Sequence, residues 1–441
     1  MKKIISFFIC ITILLSMSVS LTGCKNEDMP TIYYLNFKPE IADVYDEIAK
    51  VYKEEKGVNL KVVTAASGTY EQTLKSEMAK STAPTIFQIN GPRGYASWKD
   101  YCKNIKDTPI YELLTDKSMA IEVGDGVYGI PYVVEGYGII YNAEIMDKYF
   151  GLSTKKTNVK STEEIRSFET LKQVVEDMQS QKSKLGIDGV FASTSLQNGE
   201  DWRWQTHLAN IPIYYEFEKN DIDLSGEDTK TIGFEYAENF KNIFDLYINN
   251  SVTSKNLLGS KSVADSMAEF ALGKCAMVQN GNWAWSQIKQ VAGNKVSEEN
   301  IKFLPIYTGM EDEETQGLCI GTENYLCINK TASEEQQKLA EEFLYWLFSS
   351  DTGKKFVTEK LDFVTPFSSF DTDEVPKDPL AQELINWMNR DNITTIPWNF
   401  TVFPGQTFKE NFGAGLLSYA QGTKTFAEVK NQMIEDWKKE S

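Results

Sequence analysis

TIYYLNFKPEIADVYDEIAKVYKEEKGVNLKVV, residues 31–63, is the stretch from which the fold is read. Thr31 to Phe37 is rich in β-formers. Ile41, Val44, Tyr45, Ile48, Val51 and Tyr52 then recur at a spacing that puts them on one face of a helix, and Val58, Leu60 and Val62 alternate as in a half-buried strand. Pro39 can open the helix and Gly57 can close it. Two strands joined through such a helix lie parallel, with a right-handed crossover. Working outward, a second helix is expected over about Tyr70 to Lys80, followed by an apolar strand, Thr85 to Ile89, that runs into Asn90-Gly91-Pro92. In open α/β sheets ligands collect beyond the carboxyl ends of the strands. Asn36, Lys38, Glu40, Asn90 and Gly91 therefore lie on the expected ligand edge.

At 441 residues the chain exceeds one ordinary core, so two domains are expected. The segment YGIPYVVEGYGIIYN, Tyr128 to Asn142, is apolar and β-prone but interrupted at Glu135-Gly136, with Gly138 close behind. A chain crossing between domains through a hinge tolerates a carboxylate and glycines there, because hinge positions absorb backbone rotation. An irregular edge strand is the other reading. The region beyond is mainly helical. Ser333 with Gln336 and Thr425 with Glu428 have capping-box spacing, each ahead of an apolar stripe: Leu339, Phe343 and Leu347, and Val429, Met433 and Trp437.

Lys2 and Lys3 followed by an apolar run from Ile4 to Val19 read as a secretory signal. Leu21-Thr22-Gly23-Cys24 resembles the lipobox of bacterial lipoproteins, which implies cleavage after residue 23, acylation of Cys24, a short tether over 24–30 and attachment to the outer face of the cell membrane. The formal net charge is −18, and it becomes more negative once Lys2 and Lys3 leave. So acidic a surface repels phosphate backbones and argues against a nucleic-acid partner. Setting Cys10 and Cys24 aside leaves Cys102, Cys275, Cys319 and Cys327. Cys319 and Cys327 lie on two adjacent strand-like runs and could pair across a hairpin; four buried free thiols are the alternative. With one histidine, His207, and no C-x-x-C spacing, no metal site and no cofactor are expected.

Aromatic residues cluster with polar groups at three places. Trp202 and Trp204 flank Arg203 just after Glu200 and Asp201, Trp283 and Trp285 follow Asn280-Gly281-Asn282, and Trp398 and Phe403 share a proline-bounded loop. A pyranose needs such a mixture, since its C–H face packs on a ring while its hydroxyls call for planar hydrogen-bond partners. For any single tryptophan, burial in the core is an equally good explanation.

The run FALGKCAMVQNGNWAW, Phe270 to Trp285, resembles a stretch of the extracellular solute-binding proteins of ABC importers, the maltose and oligosaccharide type, in the lipoprotein form of Gram-positive bacteria. Phe303-Leu304-Pro305, GLCIGTENYLCINK (Gly317 to Lys330) and the helix Ala340 to Ser350 follow that family's order, so the resemblance covers essentially the whole mature chain. It implies a two-lobed α/β fold of the type II periplasmic-binding kind, crossed near Val134-Glu135, Pro305 and Asn329. Lobe 1 is then expected over 31–134 with a return segment 305–328, and lobe 2 over 135–304 completed by 329–441. It further implies that Glu135 is a hinge carboxylate bonding sugar hydroxyls, that Trp283 is the main stacking ring, and that Asn36, Lys38 and Glu40 form the first ligand loop. Asn90 stands in a second loop that departs from the maltodextrin binders, and Asp201, Trp202, Trp204, Asn282, Trp398 and Phe403 complete the candidate ligand set.

The expected function is capture of a carbohydrate between the lobes and its delivery to a membrane permease. The protein is expected to act as a monomer and to make no covalent change. The same fold binding a polyamine or another cationic solute is the alternative, and a surface glycoside hydrolase is a third reading.

Overall fold

The computed structural model describes residues 29–66, 68–224 and 227–441; the lipobox and Cys24 lie outside them. The opening βαβ unit forms as its periodicity demands. Strand Thr31–Asn36 runs parallel to Asn59–Thr64 in full register, Thr31 opposite Asn59 and Asn36 opposite Thr64. Pro39 starts a single 3₁₀ turn, Pro39–Ile41, leading into helix Ala42–Lys56. Gly57 ends that helix in the left-handed conformation, at φ 67°. Tyr45, Ile48 and Tyr52 face inward. The first sheet is completed by Ile86–Asn90 beside Thr31–Asn36 and by Asn324–Ile328 at its edge, antiparallel to Ile86–Asn90.

A second sheet holds, in order, Thr394–Pro397, Gln316–Gly321, Glu135–Asn142 and Met277–Gly281, and Ile301–Leu304 also pairs with the long central strand. That central strand runs unbroken from Glu135 through both glycines. The glycines serve packing inside the strand: a Cβ at Gly136 would run into Leu384, and one at Gly138 would lie 2.5 Å from the Leu304 carbonyl oxygen. The irregular stretch of the expected hinge is Ile130 to Val134 instead, held by isolated bridges to Leu326 and Val364.

The lobe boundaries differ from the expected ones. Gln316–Gly321 belongs to the second sheet and Asn324–Ile328 to the first, so the chain changes sheet at Thr322-Glu323, within the expected return segment 305–328. Helix Glu334–Ser349, opened by the Ser333/Gln336 capping box, then buries Phe343, Leu344 and Leu347 in the first lobe's core, and Val357, Phe363 and Phe367 join them. Residues 329–367 thus return to lobe 1; from helix Pro379–Met388 onward the chain packs in lobe 2. Two strands two residues apart look like a hairpin, yet each finds its partner elsewhere. For the same reason the Cys319–Cys327 pairing does not form: the two thiols sit in different sheets, and all four of these cysteines are free and buried.

The buried apolar clusters divide by lobe. Two draw on the first sheet and its helices and two on the second. Lobes with separate cores can move as rigid bodies at the cost of their seam contacts alone. Among the described residues no helix is long and apolar enough to cross a membrane.

Candidate functional site

The site is built at the seam from the strand ends of both sheets. From lobe 1, the turn after Thr31–Asn36 carries Lys38, whose side chain is only 6% exposed. Its Nζ lies 2.6 Å from Glu135 Oε1 and 3.6 Å from Glu40 Oε1, and stands 5.7 Å over the Trp283 ring. Burial pulls the Lys38 pKa down, but the charges of Glu135 and then Glu40 outweigh it and raise it above the ordinary lysine value. The ammonium therefore persists at any physiological pH.

From lobe 2 comes an aromatic floor. His207 stacks on Tyr137 at 4.2 Å between ring centroids, the rings nearly parallel at 8°. Trp202 meets His207 edge-on at 4.8 Å, Trp283 lies 5.9 Å from Trp202, and Trp398 sits 4.9 Å from Phe400 and 5.9 Å from His207. Two features of the backbone place these rings. Residues Arg203–Leu208 form a π-helical turn, a geometry that recurs at functional sites because it re-aims side chains. At Gly281 and Gly321 a Cβ would collide with the Trp283 and Trp398 rings respectively, so only glycine lets them lie flat on the sheet edge.

Burial pushes the His207 pKa well below its ordinary value, reinforced by the charges of Arg203, Lys409 and Lys38, so the imidazole is a neutral ring at pH 7. Its Nδ1 has no hydrogen-bond partner among the described residues. The same holds for Asn90 Oδ1, Thr322 Oγ1 and Trp398 Nε1, which stand on elements that meet at the seam. Buried polar groups are normally satisfied. Orphaned buried atoms occur elsewhere in the chain as well, but those beside the ring floor are open to bonding by a polar guest.

The candidate residues divide on this geometry. Lys38, Glu40, Glu135, Asn90, Trp202, Trp283 and Trp398 come together at the seam. Asn36 does not offer its amide to it: Nδ2 donates to the Lys38 carbonyl at 2.8 Å and Oδ1 accepts from the Lys38 N–H, so it braces the turn. Asn282 likewise accepts from the Gly136 N–H at 3.0 Å. Trp204 lies in the lobe 2 core, its indole N–H spent on the Thr194 carbonyl and its ring against Tyr247 and Phe244. Phe403 packs on Trp437 at 4.8 Å, in the same core. Periodicity could not separate these two from Trp202 and Trp398, because all four stand in polar, loop-like sequence.

Asp201 is buried against the Gly413 backbone. Burial first, then the Glu410 and Glu200 carboxylates, push its pKa up to about 7. A carboxyl held above its unfolded value binds its proton more tightly in the native state, so its contribution favours folding below about pH 4 and is lost as the pH rises through about 7. Asp201→Asn is accordingly expected to flatten the fall of melting temperature between pH 4 and 7, on the order of 1.4 kcal/mol per unit of pKa difference removed. Parallel melting curves of variant and wild type over that interval would rule the assignment out.

His207, Tyr137, Phe400 and Glu323 escaped the sequence reading. Glu323, at the second crossing, accepts from Asn90 Nδ2 at 3.2 Å, and burial raises its carboxyl above the usual range against the pull of Lys409 and Lys38. A signal was present: Glu323 sits one residue beyond Gly321-Thr322 in the short link between two strand-like runs. The lobes also touch directly, Gly68 against the Gly199 carbonyl and Gly91 against Thr401, while Arg93 donates to the Glu440 carbonyl at 3.3 Å. Among the described residues no group of three or more histidine, cysteine or carboxylate side chains is arranged to hold a metal ion.

A family model described as bacterial extracellular solute-binding protein matches residues 47–383. No curated protein sequence matches at a significant level. Among solved structures, a sugar transporter from Bacillus licheniformis in complex with stachyose is similar at TM-score 0.67 and 16% identity, with 93% of this chain and 100% of that one covered. Maltose-bound MalE3 of T. maritima gives 0.66 and 16%, covering 92% and 99%. The binding protein RafE in complex with raffinose gives 0.69 and 17%, covering 93% and 99%.

Proposed function

The chain belongs to the bacterial extracellular solute-binding proteins, and from that premise we propose that it captures an oligosaccharide between its lobes and hands it to the permease of an ABC importer. One observation carries the reading: a continuous floor of rings and a row of unsatisfied buried polar atoms share the seam between two lobes with separate cores. Rings take the C–H faces of a sugar, and the seam's amide, indole and carboxylate groups take its hydroxyls. Because such a guest touches both lobes, it favours the closed arrangement by its differential affinity. The raffinose, stachyose and maltose held by the similar structures support the same class of ligand.

Calorimetric titration with raffinose-type, malto-, xylo- and chito-oligosaccharides, and with spermidine, tests this. A micromolar or tighter sugar complex with a smaller radius of gyration on binding is the expected result. Heat with spermidine alone would move the assignment to a cationic solute, and shortened oligosaccharide products would mark a hydrolase.

Attachment to the cell surface follows from the lipobox reading. Cys24→Ala is expected to release the protein into the medium, and mass spectrometry of the mature amino-terminal peptide to show an acylated cysteine. An unmodified Cys24 on a cell-bound protein would contradict the anchor.

A further inference from the structure

A small cavity in lobe 2, with room for about one water-sized group, is walled by Arg203, Tyr247, Gln279 and three serines together with the apolar side chains of Phe191, Trp204 and Val278. Arg203 is 1% exposed. Its guanidinium lies 4.0 Å over the Trp202 ring, and none of its three nitrogens has a hydrogen-bond partner among the described residues. The Tyr247 hydroxyl, on the same wall, is also buried and unpartnered. The three serines form a closed network, Ser266 Oγ standing 3.1 Å from Ser193 Oγ and 2.5 Å from Ser195 Oγ, with Ser266 donating to the Ser193 carbonyl at 2.8 Å and Ser195 to the Ser262 carbonyl at 3.2 Å. Gln279 turns its amide nitrogen to the Arg203 carbonyl at 2.7 Å and leaves a neutral oxygen.

The imbalance is one of charge. The carboxylates whose charge reaches Arg203 are Glu200 and Glu40, and neither bonds to it. Glu200 accepts from the Val263 N–H at 3.1 Å, and Glu40 lies 3.6 Å from the Lys38 ammonium. A buried guanidinium without a counter-charge is strongly disfavoured, and a water molecule in the cavity would satisfy its N–H groups without offsetting the charge. We propose that Arg203 and the Tyr247 hydroxyl form a binding site for a small monatomic anion of chloride size, the largest guest the cavity can hold. The site supports the floor from behind, because it holds the guanidinium against Trp202. It stands apart from the oligosaccharide reading, since a free ion occupies it with no sugar present.

The test compares wild type with Arg203→Met in chloride-free buffer. Sodium chloride is expected to raise the wild-type Tm by about 2–4 °C with saturation, while the variant shows only a weak, linear salt response. A second arm replaces chloride with gluconate, an anion too large for the cavity, at equal ionic strength. A saturating rise with chloride alone supports the site; equal rises with both salts mark a general salt effect and count against it. Crystals of the unaltered protein grown in bromide give a readout that needs no variant: anomalous scattering is expected within hydrogen-bond reach of Arg203. Equal responses of wild type and variant in every arm, together with no anomalous peak in the cavity, overturn the proposal.

Discussion

Lys38→Met is expected to destabilise the protein by about 3–5 kcal/mol, the range for breaking a buried ion pair from one side. The ammonium and the Glu135 carboxylate are both nearly sealed from water, 2.6 Å apart, and removing the cation leaves a carboxylate whose desolvation nothing offsets. The loss has a pH signature. Burial already raises Glu135 above the ordinary carboxylate range against the opposing charge of Lys38. Without Lys38 the carboxyl rises further, so its protonated form is favoured in the native state and the deficit shrinks as the pH falls below that raised value. Replacing both partners, Lys38→Met with Glu135→Leu, is expected to recover most of the stability, because two well-packed apolar chains pay no charge desolvation. Urea titrations at pH 5 and pH 8 read all three variants. A single variant within about 1 kcal/mol of wild type at pH 8, or a double variant worse than the single, contradicts the role given to the pair.

Trp283→Ala is expected to weaken oligosaccharide binding about 30- to 150-fold, the 2–3 kcal/mol typical of a central aromatic contact. Trp283 is half-buried at the middle of the seam, with Lys38 on one side and Trp202, His207 and Trp398 around it. Its loss removes a stacking face while the direct contacts between the lobes stay in place. Phe403→Leu makes the contrasting control: that ring packs on Trp437 in the core, so the change is expected to lower Tm and leave affinity within about twofold. If Trp283→Ala kept its affinity while Phe403→Leu lost it, the floor would have to be sought on the other side of the loop.

Both predictions depend on contacts between residues far apart in the chain. Lys38 and Glu135 each stood out in the sequence, one beyond a strand end and one beside a glycine, but nothing local said that they pair. Trp204 and Phe403 illustrate the opposite error. Each is an aromatic residue in polar sequence, and only the position of the neighbouring helices turned them inward. His207 escaped notice because a lone histidine suggests titration or metal binding, whereas burial here makes it one more flat ring.

What the sequence determined by itself were features set by neighbours within a few residues: the βαβ opening, the αL stop at Gly57 and the capping boxes at Ser333 and Thr425. These are short-range matters of periodicity, φ preference and side-chain reach. What only the tertiary structure decided was which sheet each late strand joins, where the chain crosses between lobes, and which rings and charges meet at the seam. Strand pairing and burial are chosen among distant partners by edges and cores that exist only once the chain has folded. Gln316–Gly321 and Asn324–Ile328, two residues apart in sequence and one lobe apart in space, owe their separation to that choice.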